Sequence, residues 1–302
     1  MRALRAALLL VVLAASLWGE SQLIKVDVDL VNVYLTVCNK SGRLITNLAR
    51  ENFTVLEDGA PQAITNFSKE TDVPLTIALV IDTSGSVRDK LPFEKEAATR
   101  FLYALLHGAG DKAAVFTFDS LIELRQDYTN DPALLARAVF NMHAGGGTRL
   151  YDGLLKPLHG KLAEGEERKV IVLLTDGNDN SSRSAPQDVV EAAQRNSVTI
   201  YAISMNALGM HLEDSNRYDA LLDSFASETG GEAFFPNKVG DLSAQFKRII
   251  SELRSQYTIA YRSTNPKKDG AFRRIQIGVT NSRYSVRARS GYYAAQEATA
   301  QK

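Results

Sequence analysis

The sequence predicts an α/β fold, with a Rossmann-like, doubly wound and mostly parallel sheet and a small β module formed by flanking strands. Two observations support this prediction. Between residues 73 and 254, short apolar runs alternate with longer stretches in which apolar residues recur at helical spacing, which is typical of parallel strands joined by helices. On both sides of this region, apolar and polar residues alternate as in strands that have one exposed face.

Five apolar runs are the predicted strands of the central region, at 75–81, 113–118, 170–175, 198–204 and 232–235. Helical patterns lie between or beside them, at 90–107, 132–142, 149–162, 186–196, 217–229 and 241–254. The segment FTFDSLIELRQDY instead predicts a tight hairpin, which places one antiparallel strand at an edge of the sheet.

The two flanks of this region read as β structure. The N-terminal flank, residues 22–72, contains VDVDLVNVYLTV and two short strand-like runs around 53–55 and 64–67, on either side of a hairpin signal at Asp58-Gly59. The C-terminal flank, residues 255–293, contains YTIAYR, RRIQIGV and YSVRAR. Because neither flank is large enough to bury a core alone, we expect them to form one β module with the α/β domain, residues 73–254, inserted. Two independent β appendages are the alternative.

The N-terminus predicts export. Arg2 and Arg5 precede an apolar stretch over 6–17 and then small residues, the layout of a signal peptide over residues 1–19. A buried N-terminal helix is the alternative. No later segment approaches 18 uninterrupted apolar residues, so we expect no transmembrane segment in the mature chain, which would be periplasmic or extracellular. Residues 294–302 predict a disordered tail.

The amino-acid composition argues against one class of partner, nucleic acids. Lys and Arg together number 35, as do Asp and Glu, and no basic stripe stands out, so a nucleic-acid partner is not expected. The single Cys38 excludes an internal disulfide, so the stability must come from the core.

Oxygen-bearing side chains follow the predicted strands at the edge where open parallel sheets bind ligands. Asp82, Ser84 and Ser86 follow the first strand, Thr148 follows three glycines, and Asp176 ends the run VIVLLTD. Alternate residues of an extended loop can point toward a common centre. Two carboxylates and three hydroxyls are hard donors that suit Mg²⁺ or Mn²⁺, with Ca²⁺ as a further candidate, and do not suit Zn²⁺.

The donor set also indicates a use. Neutral hydroxyls leave most of the metal's charge uncompensated, so an anion from outside could complete the coordination. We therefore expect a protein or extracellular-matrix partner that offers an Asp or Glu carboxylate.

In order and context, DTSGS, the threonine of GGGT and the later TDG resemble the metal-ion-dependent adhesion site of von Willebrand factor type A domains. The resemblance covers residues 73–254, and the flanks are similar to those of exported bacterial proteins related to this family. It implies that Ser84, Ser86 and Thr148 are direct ligands and that Asp82 and Asp176 act mainly through metal-bound waters. It implies an adhesion-type binding module and not an enzyme.

Other interpretations remain open. A structural or assembly protein of the cell envelope, with a metal that only stabilises a loop, is the main alternative. A hydrolase with Ser84 as nucleophile and His143 as base is a weaker one, because no G-x-S-x-G is present. The loop after Asp176 fails the EF-hand pattern, having Ser181 where glycine is needed and no glutamate at its end, although Asp179 could lie near the site.

Overall fold

The computed structural model describes residues 30–69, 73–106, 110–165, 167–206 and 215–296. The predicted signal peptide, the first part of the N-terminal flank and residues 297–302 of the predicted tail lie outside these ranges. Within them, no helix is long and apolar enough to cross a membrane.

The N-terminal flank contributes the strands β1 (Leu30–Asn39), β2 (Phe53–Glu57), β3 (Ala60–Gln62) and β4 (Ile64–Ser68). The strands of the central region are β5 (Leu75–Asp82), β6 (Lys112–Phe118), β7 (Ile122–Thr129), β8 (Arg168–Thr175), β9 (Val198–Ser204) and β10 (Ala233–Phe234). Its helices are α1 (Leu91–Leu105), α2 (Pro132–Phe140), α3 (Leu150–Leu158), α4 (Pro186–Arg195), α5 (Ser215–Thr229) and α6 (Leu242–Leu253). The C-terminal flank adds β11 (Tyr257–Arg262), β12 (Phe272–Val279), β13 (Tyr284–Ala288) and β14 (Gly291–Tyr293).

The central sheet has the order β10-β9-β8-β5-β6-β7. Its neighbouring strands are parallel except β7, which pairs antiparallel with β6 at the edge. The α/β fold class and the antiparallel edge strand predicted from the sequence are therefore confirmed. The carboxyl ends of the parallel strands all lie on the same side of the sheet, and the candidate site lies there. This side is called the carboxyl edge.

Helices cover both faces of this sheet because its central strands are apolar on both sides. In β5, Leu75, Ile77, Leu79 and Ile81 pack with α1, α2 and α6, whereas Ala78 and Val80 pack with α3, α4 and α5. Successive side chains of a strand point to opposite faces, so an unbroken apolar run supplies two cores. The continuous burial of β5 explains why its last residue, Asp82, is buried as well.

The flanking strands form two antiparallel sheets, with the orders β13-β1-β11-β4 and β14-β12-β2-β3. Each sheet combines strands from both ends of the chain. Their apolar side chains form one shared core that includes Val33, Leu35, Val55, Ile259 and Ile275. The expected β module from both flanks is therefore present, whereas the residue limits given above for the individual units remain predictions.

The hairpin signal at Asp58-Gly59 is a two-residue turn, and both residues have positive φ, 48° and 84°. This turn reverses the chain at once, so β3 pairs with β2 within the stretch that the sequence reading treated as a connection. The runs predicted around 53–55 and 64–67 are both strands, but they lie in different sheets. β4 pairs with β11, not with β2.

Candidate metal centre

Three loops meet at the carboxyl edge of the central sheet, and hydrogen bonds join them. In the loop after β5, the Thr83 carbonyl accepts from Gly145 N at 2.8 Å, and Gly85 N donates to the Gly146 carbonyl at 3.2 Å. The Thr148 carbonyl accepts from Asn180 N at 3.1 Å, which joins the glycine loop to the loop after β8. The loops that carry the five predicted ligands are therefore directly connected.

Asp82 is fully buried at the end of β5. Its Oδ1 accepts from Ser84 N at 2.8 Å, and its Oδ2 accepts from the hydroxyl of Thr175 at 2.6 Å. Burial raises the pKa of Asp82 to about 7, the charge of Asp176 acts in the same direction, and the hydrogen bonds oppose both.

The two serines of the loop point toward each other. Ser84 Oγ and Ser86 Oγ lie 3.0 Å apart, with Ser84 buried and Ser86 exposed. This separation suits two oxygens that share one cation. The exposed Ser86 gives the site a side that faces solvent.

Thr148 is buried, and Asn180 fixes its backbone because the Asn180 Oδ1 accepts from Thr148 N at 3.0 Å. The preceding glycine loop lies close to the tip of the β6–β7 hairpin, where Ser120 Oγ accepts from Gly147 N at 2.8 Å. Gly146 has a φ of 78°, and a Cβ there would lie 2.7 Å from Ser120 Oγ. This position therefore requires glycine.

Asp176 follows β8 directly and is 8% exposed, with its Oδ1 accepting from Asn178 N at 3.2 Å. Asp179, which the sequence placed near the site, has a capping role. Its Oδ2 accepts from Leu150 N at 2.8 Å at the start of α3. This bond holds the loop after β8 against the helix that follows Thr148.

Glu94 is an acidic side chain near the site that the sequence reading missed. It lies on α1, is fully buried, and neither of its carboxylate oxygens has a hydrogen-bond partner. Burial raises its pKa well above the ordinary range, the charges of Asp82 and Asp176 add to this, and Lys90 opposes it. Its spacing from Leu91 and Ala98 on the apolar side of α1 was the available signal.

Thr175 and Asn180 also escaped the sequence reading, although each holds a predicted ligand in place. Thr175 could have been noticed as the polar last residue of an apolar strand. Asn180 lies in a wholly polar loop, which gives no such signal.

The donor chemistry fits a hard divalent cation. No group of three or more His, Cys, Asp or Glu side chains with metal-site geometry occurs in the part of the chain that the structure describes. The candidate set has a different composition, with two carboxylates and three hydroxyls. Nearby acidic charges help to raise the pKa values of the buried Asp82 and Glu94, and a cation would be stabilised in such surroundings.

Several solved structures resemble this chain in fold, at low sequence identity. A von Willebrand factor type A protein from Catenulispora acidiphila aligns with a TM-score of 0.51 at 16% identity, over 90% of this chain and 75% of that one. Proximal thread matrix protein 1 from the mussel byssus gives 0.52 at 20% identity, over 66% of this chain. The alignment spans 51% of the mussel protein's own length.

The von Willebrand factor domain of the tip protein of type V pili from Porphyromonas gingivalis aligns with a TM-score of 0.50 at 15% identity, over 60% of this chain and 95% of that domain. No curated protein matches the sequence. The von Willebrand factor type A domain pattern matches residues 76–251, which is more than half of the chain. The chain therefore belongs to the von Willebrand factor type A domain family.

Proposed function

We propose that this protein is a divalent-metal-dependent binding module in which Asp82, Ser84, Ser86, Thr148 and Asp176 hold Mg²⁺ or Mn²⁺. An Asp or Glu carboxylate of a partner protein or matrix component completes the coordination. The observation that supports this best is the direct hydrogen bonding among the three loops that carry two acidic and three hydroxyl side chains.

The bound cation would supply a positive charge for the partner's carboxylate. Ser84, Ser86 and Thr148 contribute neutral oxygens, so much of that charge stays available to a ligand from outside. Asp82 and Asp176 would orient waters bound to the metal, and the Thr175 hydroxyl holds Asp82 in place by a hydrogen bond of 2.6 Å. The exposed Ser86 marks the side from which the partner approaches.

Binding, and not turnover, is the proposed activity. In the hydrolase alternative, Ser84 needs a base, but its hydroxyl is paired with Ser86 Oγ at 3.0 Å, and His143 is exposed. The proposed setting is the periplasm or the extracellular space. That location depends on the predicted signal peptide over residues 1–19.

Calorimetry with Mg²⁺, Mn²⁺ and Ca²⁺ tests the metal site. Asp82→Asn and Thr148→Ala should each abolish binding, whereas Asp223→Asn, which removes an exposed carboxylate on α5, should leave it unchanged. Equal binding by all of these proteins would place the metal elsewhere.

Peptide capture tests the partner's chemistry and separates this function from the structural alternative. Immobilised peptides containing Asp or Glu should bind in Mg²⁺, lose binding in EDTA, and lose it when Asn or Gln replaces the acidic residue. If the metal binds but peptide capture ignores both EDTA and the acidic residue, the metal only stabilises the loops.

A further inference from the structure

A second candidate site lies near the amino ends of the central strands, where the α/β domain meets the β module. A cleft of about 660 Å³ lies between the start of β1, the end of α4 and the segments around β11, β12 and β14. Its basic lining residues, which define the basic cleft, are Arg195, Arg262, Lys267, Lys268, Arg273 and Arg289. Among the described residues that line it, none is Asp or Glu.

At least two of these cations have carboxylate partners within the protein. Arg195 pairs with Glu191 on the same helix at 2.8 Å. Arg273 is almost fully buried and lies 3.6 Å from the equally buried Glu57. Their charges are therefore largely balanced within the protein.

Among the residues that the structure describes, Arg289 has only neutral acceptors. Its Nη1 donates to Ser197 Oγ at 2.8 Å and its Nη2 to the Asn32 carbonyl at 2.7 Å, while its buried Nε has no partner. Arg262 and Lys267 are exposed, and neither forms a salt bridge with a carboxylate of the described residues. At least three positive charges thus face one concave surface without compensation, in a chain whose total charge is zero.

The wall of the cleft is held in place. Arg273 donates to Ser263 Oγ and to the Asn265 carbonyl, each at 2.9 Å, and also to the Lys267 carbonyl. These bonds fix the segment that carries Lys267 against the sheet. A ligand would therefore meet a largely preformed site, which lowers the entropy cost of binding.

We infer that the basic cleft binds a ligand that carries two or more carboxylate or phosphate groups. Guanidinium groups present paired N–H donors that match the oxygens of both. A concave surface lined by one sign of charge also concentrates the field on an anion. The cleft volume of about 660 Å³ lies in the usual range for small-molecule sites, roughly 300–1,000 Å³.

This site is independent of the proposed metal centre. Ser197, which lines the cleft, precedes the amino end of β9, whereas the proposed metal ligands lie at or beyond the carboxyl ends of the strands. The seven residues of β9 place the two edges roughly 20 Å apart. Failure of one proposal therefore leaves the other intact.

Titration calorimetry with tripolyphosphate and with citrate tests the inference. The full chain is used, free of metal and also of EDTA, since EDTA is itself a polyanion that would compete. We expect at least one of the two probes to bind saturably, with one molecule bound per chain, and added salt to weaken this binding. Citrate carries less negative charge than tripolyphosphate, so tighter binding of citrate would identify carboxylate as the preferred group, whereas tighter binding of tripolyphosphate would show recognition of the higher negative charge.

The double variant Arg262→Glu/Lys267→Glu should bind at least about tenfold more weakly, because two cationic contacts are lost and two negative charges that repel the anion replace them. Both residues are exposed, so the fold should survive, which circular dichroism checks. The matched control is Lys156→Glu/Lys247→Glu, which changes the net charge equally at exposed positions on α3 and α6. Equal weakening in both double variants, or no saturable binding by the parent, would overturn the inference.

Discussion

Replacing Glu94 by methionine should stabilise the metal-free protein at neutral and alkaline pH. Glu94 is 0% exposed on α1, and both of its carboxylate oxygens lack hydrogen-bond partners. Methionine keeps the length of the side chain and removes the polar atoms, so it suits the apolar surroundings that Leu91 and Ala98 share with it.

The expected gain is about 2–3 kcal/mol at pH 8, since a buried polar group without a partner costs about 1–3 kcal/mol and a charged one more. The pH dependence has a definite sign. Because the folded pKa of Glu94 is raised, its protonated form contributes stability fully below the ordinary value of 4.5, and this contribution is lost as the pH rises through the raised pKa. The gain from methionine should therefore be small at pH 4 and grow toward pH 8.

Urea unfolding at pH 4, 6 and 8 measures this difference. The matched control is Glu96→Met on the same helix, where an exposed carboxylate pairs with Arg100 at 2.5 Å. That change should alter stability by less than about 1 kcal/mol at any pH. If Glu94→Met is no more stable than the parent at pH 8, the Glu94 carboxylate has a compensating partner and the electrostatic description of this site is wrong.

Three further predictions concern stability and the site. Asp152→Asn should lower the free energy of unfolding by about 2 kcal/mol at pH 7. Burial raises the pKa of Asp152, but its hydrogen bonds outweigh burial and lower the pKa to about 2. Urea unfolding should show that this contribution disappears as the pH falls toward 2. Gly231→Ala should prevent stable folding, since its Cβ would lie 2.0 Å from a carbonyl oxygen of β9, whereas Gly240→Ala, in open space, should melt normally. Gly146→Ala should weaken metal binding in calorimetry, and Gly145→Ala, which meets no atom within 4 Å, should not.

The strands of the central sheet could be predicted from the sequence because each is a short apolar run that can be recognised without its neighbours. The run from Leu75 to Asp82 is buried throughout, and an unbroken apolar run of that length has few other structures to adopt. The partners of the short flanking strands could not be predicted in the same way. β4 pairs with β11 across some 190 residues of sequence, and this choice depends on the shared core and not on local pattern.

That the candidate ligands lie at one end of the sheet could be predicted, because parallel strands end there together. That Asp82 and Asp176 are neighbours depends on the pairing of β5 with β8, which the sequence reading did not predict. The groups that hold the ligands were harder to predict. The bond from Thr175 to Asp82 follows from the register of β5 against β8, and the bond between Asn180 and Thr148 follows from the path of a loop. Neither register nor loop path is encoded in residue type alone.

The distribution of charged side chains over the folded protein could not be predicted from the sequence. Lys and Arg together equal Asp and Glu in number and form no basic stripe in the sequence, yet the fold gathers six cations, spread from Arg195 to Arg289, around one cleft. It places three buried acidic side chains, Asp82, Glu94 and Asp176, near the other edge of the sheet. The two proposed sites would thus both select acidic ligands, one through a metal and one directly. Because exposed charges are screened much more than buried ones, rising salt should weaken the basic cleft well before the metal centre.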